Sequence, residues 1–131
     1  MNFEPVGRNE KGELYMKFHH PFTIVEKIQL LQRWIMVQSF CYYELNENCA
    51  TDFQYDANAR QLEDLAKNYP DEFKRSRYYS YFHDFFSNDD CHMTSGFDLL
   101  ERVRKQDKLL YRYLHIDAAL ALDQKSLRGL V

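Results

Sequence analysis

Two capping boxes, each followed by a run of helical periodicity, limit most strongly what this chain can fold into. Thr23 and Glu26 form the first box, in which the threonine side chain accepts a hydrogen bond from a backbone N–H and the glutamate reaches back. Thr51 and Gln54 stand at the same spacing in the second box. Each box therefore predicts the beginning of a helix.

The residues after each box recur with helical spacing. The first helix is predicted over about residues 24–45, and it is apolar around much of its circumference, which predicts a central position in the fold. The second helix is predicted over about residues 52–68, and Pro70 ends it. Because the connection between them is short and polar, we expect the two helices to pack as an antiparallel hairpin.

The segments on either side of the hairpin are assigned from turn signals and periodicity. Residues 1–20 indicate an extended segment that forms a small β-hairpin or a lone strand. The aromatic residues of 73–86 fit either a helix or a buried strand, and 87–96 form a loop by composition. Residues 97 to about 122 are predicted to be helical again, with a break near Gln106-Asp107.

Together these elements predict a mainly α fold, in which an antiparallel helical hairpin and C-terminal helices accompany a small N-terminal β-hairpin or strand. A chain of 131 residues is one domain by its length. Within it we distinguish the N-terminal extended segment 1–20, the helical hairpin 22–73, and an aromatic segment, loop and C-terminal helices over 74–131.

Composition narrows the classes of partner. A net charge of −3 is poor for a nucleic-acid binder or for an anionic membrane surface, so we expect neither partner. Three cysteines without a C-x-x-C pair, and no signal-peptide pattern, predict free thiols and a cytoplasmic protein. An aromatic fraction of 16% favours ligand binding or self-association as a homo-oligomer.

The junction of the two predicted helices holds the candidate binding site. Tyr42 and Tyr43 end the first helix, and Asp52, Tyr55 and Asp56 share one face at the start of the second. Tyrosine faces attract a flat cationic ring, and carboxylates accept hydrogen bonds from ribose hydroxyls or a carboxamide. The helix start can meet a phosphate. The plainer alternative is that Tyr42 and Tyr55 are core aromatics of the helical hairpin and that Asp52 and Asp56 only complement the helix dipole.

These five residues have the spacing Y-Y-x8-D-x2-Y-D. Leu62 and Leu65 follow in helical phase, and the turn Tyr69-Pro70-Asp71-Glu72 comes after them. Over roughly residues 26–73 this pattern resembles domain Ia, the N-terminal helical subdomain of bacterial NAD-dependent DNA ligases, and short phage and bacterial proteins related to that ligase. In the ligases this subdomain binds the nicotinamide mononucleotide (NMN) half of NAD. The resemblance implies that role for Tyr42, Tyr43, Asp52, Tyr55 and Asp56.

The chain departs from the ligases where ligation chemistry is concerned. It has no K-x-D-G nucleophile motif, and it is too short for a nucleotidyl-transfer domain. The resemblance therefore implies non-catalytic binding of a nicotinamide or ADP-ribose-type nucleotide as ligand, with no cofactor. A phage protein of this kind could sequester an NAD-derived antiviral messenger in the host cytoplasm. Two alternatives are hydrolysis of an N-glycosidic bond, with Asp52, Asp56 or Glu44 as the carboxylate, and a protein-interaction module that retains only the scaffold.

Two further groups could complete such a site. Arg75 and Arg77 could meet a second phosphate, although a solvated surface patch is the alternative. Phe97, which follows Gly96, could act as a lid over a bound ring.

Two sequence patterns suggest chemistry that we do not predict. The ligand-type residues His83-Asp84 and 89–92 match no standard zinc spacing, so no metal is predicted. Cys91 adjoins His92, and adjacent residues rarely orient as a nucleophile and its base, so no catalytic residue is predicted.

Overall fold

Helices build most of this protein, as the periodicity predicts. The computed structural model describes residues 6–8, 10–16, 22–86 and 95–129. Within these ranges a two-stranded antiparallel sheet precedes six helices. The mainly α fold with a small N-terminal β element is therefore confirmed.

The N-terminal β element is a hairpin. Strand β1 (Val6–Arg8) pairs antiparallel with β2 (Leu14–Met16). In the connection Gly12 has a φ of 79°, a left-handed conformation that suits glycine, and its carbonyl accepts a hydrogen bond from Arg8 Nη1 at 2.7 Å. The remaining residues of the predicted segment 1–20 lie outside the described ranges.

Helix α1 (Ile24–Tyr43) is the central element. The predicted capping box forms, with Thr23 Oγ1 accepting a bond from Glu26 N at 3.1 Å and Glu26 Oε1 accepting one from Thr23 N at 3.0 Å. Every residue from 35 to 41 is buried, so neighbours cover the helix on all sides there. The helix ends slightly earlier than predicted, because the chain turns at Asn46, whose φ is 56°.

Helix α2 (Asp52–Asn68) begins and ends where the periodicity predicts. Two contacts give its direction relative to α1. Ser39 meets Tyr55, and Gln38 one position earlier meets Asn58 three positions later. The contacts run in opposite directions along the two helices, which confirms the antiparallel hairpin.

The aromatic segment 73–86, which the structure describes in full, forms short helices joined by turns and contains no strand. It contains two short helices, α3 (Pro70–Lys74) and α4 (Tyr79–Phe82). Between them Ser76 N donates to Phe73 O at 3.1 Å, and Gln32 Nε2 donates to Ser76 Oγ at 3.0 Å in the interior. Phe73, Tyr78, Tyr81, Phe82 and Phe85 of this segment belong to the same buried cluster as the apolar residues of α1.

Helices α5 (Gly96–Gln106) and α6 (Lys108–Gly129) complete the chain, and the predicted break between them occurs at Asp107. Asp107 Oδ1 accepts a bond from Leu110 N at 2.9 Å and so caps α6. The predicted end near Leu122 is too early. Asp123, Gln124 and Lys125, which follow Leu122, are polar and exposed, so the apolar pattern stops before the helix does.

The predicted loop 87–96 is only partly described. Residues 87–94, which include the acidic, cysteine and histidine residues discussed above, lie outside the described ranges. Ser95 is the capping residue of α5, and Gly96 is its first helical residue, so these two positions do not belong to a loop.

The hydrophobic core follows α1, which contacts α2, α3, α5 and α6. Two ion pairs join distant parts of the chain at its edge. Arg33 on α1 binds Asp117 on α6 at 2.8 Å, and Arg102 on α5 binds Asp84 at 2.7 Å. Among the helices that the structure describes, none has the length and apolar character needed to cross a bilayer.

Candidate functional site

A cavity of about 440 Å³ lies where α1, α2 and α5 meet. Its wall comes from the end of α1, the connection that follows, the first turns of α2, Phe85 and the start of α5. All five residues predicted to bind a ligand line it, namely Tyr42, Tyr43, Asp52, Tyr55 and Asp56. The volume is in the range of small-molecule sites, about 300–1,000 Å³.

The connection between α1 and α2 is held in place by hydrogen bonds from both sides. Leu45 N donates to Phe40 O at 3.2 Å, and Glu47 N donates to Cys41 O at 3.0 Å. Lys125 on α6 donates through Nζ to the carbonyl of Asn48. These bonds fix the part of the wall that the connection supplies.

The second capping box positions the acidic side of the cavity. Thr51 Oγ1 accepts a bond from Gln54 N at 3.1 Å, and Gln54 Oε1 accepts one from Thr51 N at 2.9 Å. The cap sets the first turn of α2, in which Asp52 and Asp56 lie one turn apart and are exposed. Both carboxylates are therefore available to a ligand.

Tyr42 and Tyr43 form an exposed aromatic pair. Their ring centroids lie 4.8 Å apart at an interplanar angle of 84°. Tyr42 is 54% exposed, which is inconsistent with a core aromatic. The pair therefore offers ring faces to a ligand rather than to the interior.

Tyr55 occupies the inner part of the cavity and presents a neutral hydroxyl. Burial raises the pKa of Tyr55, and the nearby charges of Tyr43 and Asp56 act in the same direction, whereas a bond to Ser39 acts against them. Ser39 Oγ donates to Ile35 O at 2.8 Å, and it lies 3.5 Å from the Tyr55 hydroxyl, a long contact in which either oxygen can donate. Tyr55 is thus partly held and partly open to the cavity.

Gly96 lets α5 approach the cavity closely. A Cβ atom at this position would lie 2.5 Å from Ser39 Oγ and 3.1 Å from Tyr43 Cε2. Any larger residue would push α5 away from α1. The absence of a side chain at Gly96 is therefore what allows α5 to form one wall.

Sequence reasoning missed several cavity residues, and only some of them carry a local signal. Gln38 and Ser39 lie one helical turn before Tyr42 and Tyr43, so helical spacing could have found them. Phe85 arrives from a distant part of the chain, and nothing in its local sequence marks it. The same holds for the start of α5.

Three other predicted residues are not among those that line the cavity. Arg75 pairs with Glu72 at 3.1 Å, and the structure does not bring Arg77 to the site either. Phe97 stands in the first turn of α5, with its ring centroid 5.9 Å from that of Tyr43. Gly96, which precedes Phe97, is the first helical residue of α5, and Phe97 as a lid stays a prediction.

The thiol of Cys49 lines the cavity, and the thiol of Cys41 lies deeper, in the core. Burial, together with Cys49, raises the pKa of Cys41 to about 12. Cys41 is therefore a protonated thiol at neutral pH and not a nucleophile.

Comparison with known proteins adds nothing to this geometry. No protein-family model, curated protein or solved structure matches this chain. The resemblance to ligase domain Ia therefore rests on the spacing of the five residues and on their position at a helix junction.

Proposed function

We propose that the cavity binds a nicotinamide or ADP-ribose-type nucleotide without transforming it. The observation that carries the proposal is the meeting of two exposed tyrosine rings and two exposed carboxylates at one cavity of about 440 Å³. The rings of Tyr42 and Tyr43 suit a flat cationic pyridinium, and Asp52 and Asp56 suit its ribose hydroxyls or carboxamide. A binding site without turnover would serve to sequester an NAD-derived messenger in a host cytoplasm.

Titration calorimetry with NMN, backed by thermal unfolding, tests the proposal. We expect Tyr42→Ala to weaken NMN binding about tenfold, because a desolvated cation–π contact is worth about 1–2 kcal/mol. Tyr42→Phe retains the ring and should bind nearly as the wild type does. NMN at 100 times its dissociation constant should add about 2.7 kcal/mol and raise the unfolding midpoint by roughly 10 °C.

A matched pair of aspartates supplies the control. Asp52→Asn removes a cavity carboxylate, whereas Asp71→Asn changes an exposed carboxylate on α3. Only the first should weaken binding. Equal NMN affinity for the wild type, Tyr42→Ala and Asp52→Asn would contradict the proposal. Chromatography of the ligand after incubation distinguishes binding from hydrolysis, since release of nicotinamide would favour the N-glycosidic hydrolase.

A second candidate function, self-association, is favoured by α6. Four large apolar residues, Leu109, Tyr113, Ile116 and Leu120, are separated by four, three and four positions and are 48–57% exposed. This is the spacing of a coiled-coil seam. The buried stripe of α6 lies on a different side of the helix, so the exposed seam is additional to the core face.

A second copy of this chain is the partner that the charges favour. In a parallel coiled coil of two α6 helices, Arg112 of one helix would lie beside the seam and face residue 117 of the other helix. Nε and Nη2 of Arg33 both donate to Asp117 Oδ2, and Oδ1 makes no hydrogen bond with the described residues. Arg112 forms no ion pair within those residues either. A parallel dimer would therefore form the Arg112–Asp117 pair twice.

The area of the seam sets the strength of such a dimer. Four half-exposed side chains of this size present on the order of 400 Å² of apolar surface. A stable complex buries about 800 Å² per partner, so the seam supplies roughly half of what a tight dimer needs. We therefore expect a dimer that depends on concentration.

A further inference from the structure

A second cavity, of about 400 Å³, lies against the first one. The two cavities share three wall residues, Gln38, Cys49 and Ala50. The start of α2 passes between them, with Thr51 and Asp52 on the first cavity and the next two residues on the second. A ligand long enough to cross this start would occupy both.

Two exposed aromatic side chains line the second cavity. Phe53 is 80% exposed, which is unusual for a phenylalanine, and Trp34 is exposed beside it. Exposed aromatic faces at a concave surface are the means by which proteins stack flat ring systems such as nucleobases. The second cavity is thus suited to a ring of its own, separate from the ring that Tyr42 and Tyr43 would hold.

Amide groups lie beside these aromatic faces. Gln38 is only 5% exposed, its Oε1 accepts a bond from Asn58 Nδ2 at 3.4 Å, and its Nε2 has no partner among the described residues. A buried donor without a partner is unfavourable until something accepts its hydrogen bond. Amide side chains pair well with the hydrogen-bonding edges of bases. Gln38 therefore brings unused hydrogen-bonding capacity to the wall that both cavities share.

Two sources of positive potential lie between the cavities, the start of α2 and Lys125, and the Asp52 carboxylate stands beside them. The first N–H groups of α2 have no acceptor within the helix, as at every helix start. Lys125 lines the second cavity while its Nζ bonds to Asn48, which lines the first. An anionic linker would meet both the helix start and the ammonium group.

We infer that the ligand is a dinucleotide, with two ring systems joined by a pyrophosphate, and that its second base lies against Trp34 and Phe53. This inference rests on the proposed function, because the first cavity must hold the nicotinamide half. It differs from that proposal in predicting that NAD binds more tightly than NMN.

Titration of the full chain with NMN and with NAD tests the inference. We expect the wild type to bind NAD at least about tenfold more tightly, which is the gain that one stacked base provides. Phe53→Ala should remove this difference and leave the affinity for NMN unchanged. Leu30→Ala, an exposed residue that lines neither cavity, is the control and should change nothing.

The outcomes separate the two proposals. Equal affinities of the wild type for NAD and NMN would overturn the dinucleotide and leave the proposed function standing. So would a Phe53→Ala variant that loses affinity for both ligands to the same extent. If neither ligand binds the wild type, the proposed function is overturned and the dinucleotide with it.

Discussion

The buried thiol of Cys41 gives this protein a response to alkaline pH. Burial, aided by Cys49, raises the pKa of Cys41 from 9.0 to about 12. Between these values the unfolded chain releases the proton and the folded protein retains it. The stabilising contribution is therefore fully present below pH 9 and is lost as the pH rises toward 12.

We expect the free energy of unfolding to fall from pH 9 upward, with this thiol contributing up to about 1 kcal/mol per pH unit. Urea unfolding at pH 8, 9 and 10 measures the slope. Cys41→Ala should make the slope shallower. It will not abolish it, because burial also raises the pKa of Tyr55 and Tyr81. An unchanged slope in Cys41→Ala would show that the thiol does not take part.

At the residue scale, the candidate site is predictable as far as local spacing reaches. Tyr42 and Tyr43 are adjacent in sequence, and Asp52 and Asp56 repeat with the helix, so their proximity follows from helical geometry. Phe85 and Gly96 reach the cavity only through tertiary packing. Gly96 is required because a side chain there would clash with the Ser39 hydroxyl, and no local sequence pattern encodes this long-range contact.

At the scale of elements, a helix start is predictable where a side chain bonds to the backbone a few residues away. The capping boxes at Thr23 and Thr51 are local bonds, and each helix begins where its box predicts. The aromatic segment could not be assigned in this way. Its aromatic residues are so closely spaced that they satisfy both a helical and a strand period, and single-turn backbone bonds decide the outcome.

Self-association through the exposed face of helix α6 can be tested by single substitutions. If its exposed seam joins two copies, Ile116→Glu places a charge in the seam and should weaken dimerisation at least about tenfold, since central apolar contacts dominate interfaces. Light scattering and sedimentation over a range of protein concentration measure the change. Arg112→Glu should weaken the dimer as well, and more at low salt than at high salt.

A charge elsewhere on α6 serves as the control for the seam. Lys108→Glu alters an exposed residue at the start of the helix and should leave the dimer intact. A wild-type protein that stays monomeric at all concentrations would contradict self-association through α6. A dimer that survives Ile116→Glu would place the interface on another surface.

At the scale of the whole molecule, α1 joins the other elements. It contacts four of the other helices, whereas the hairpin has three residues in each strand. Stability should therefore be distributed unevenly. In hydrogen–deuterium exchange we expect the slowest amides in α1 between residues 35 and 41 and the fastest in β1 and β2. Faster exchange in this part of α1 than in α6 would contradict the central role of α1.

The cavity wall is assembled from three helices that approach one another only in the folded chain. Any ligand that fills the cavity acts on all three, and its binding free energy adds to the free energy of global unfolding. Occupied copies then open less often, and proteases that cut open chains find them less often. In a cell such a ligand would make the protein's lifetime depend on ligand concentration, so that copies would accumulate where the ligand is abundant and be cleared where it is scarce.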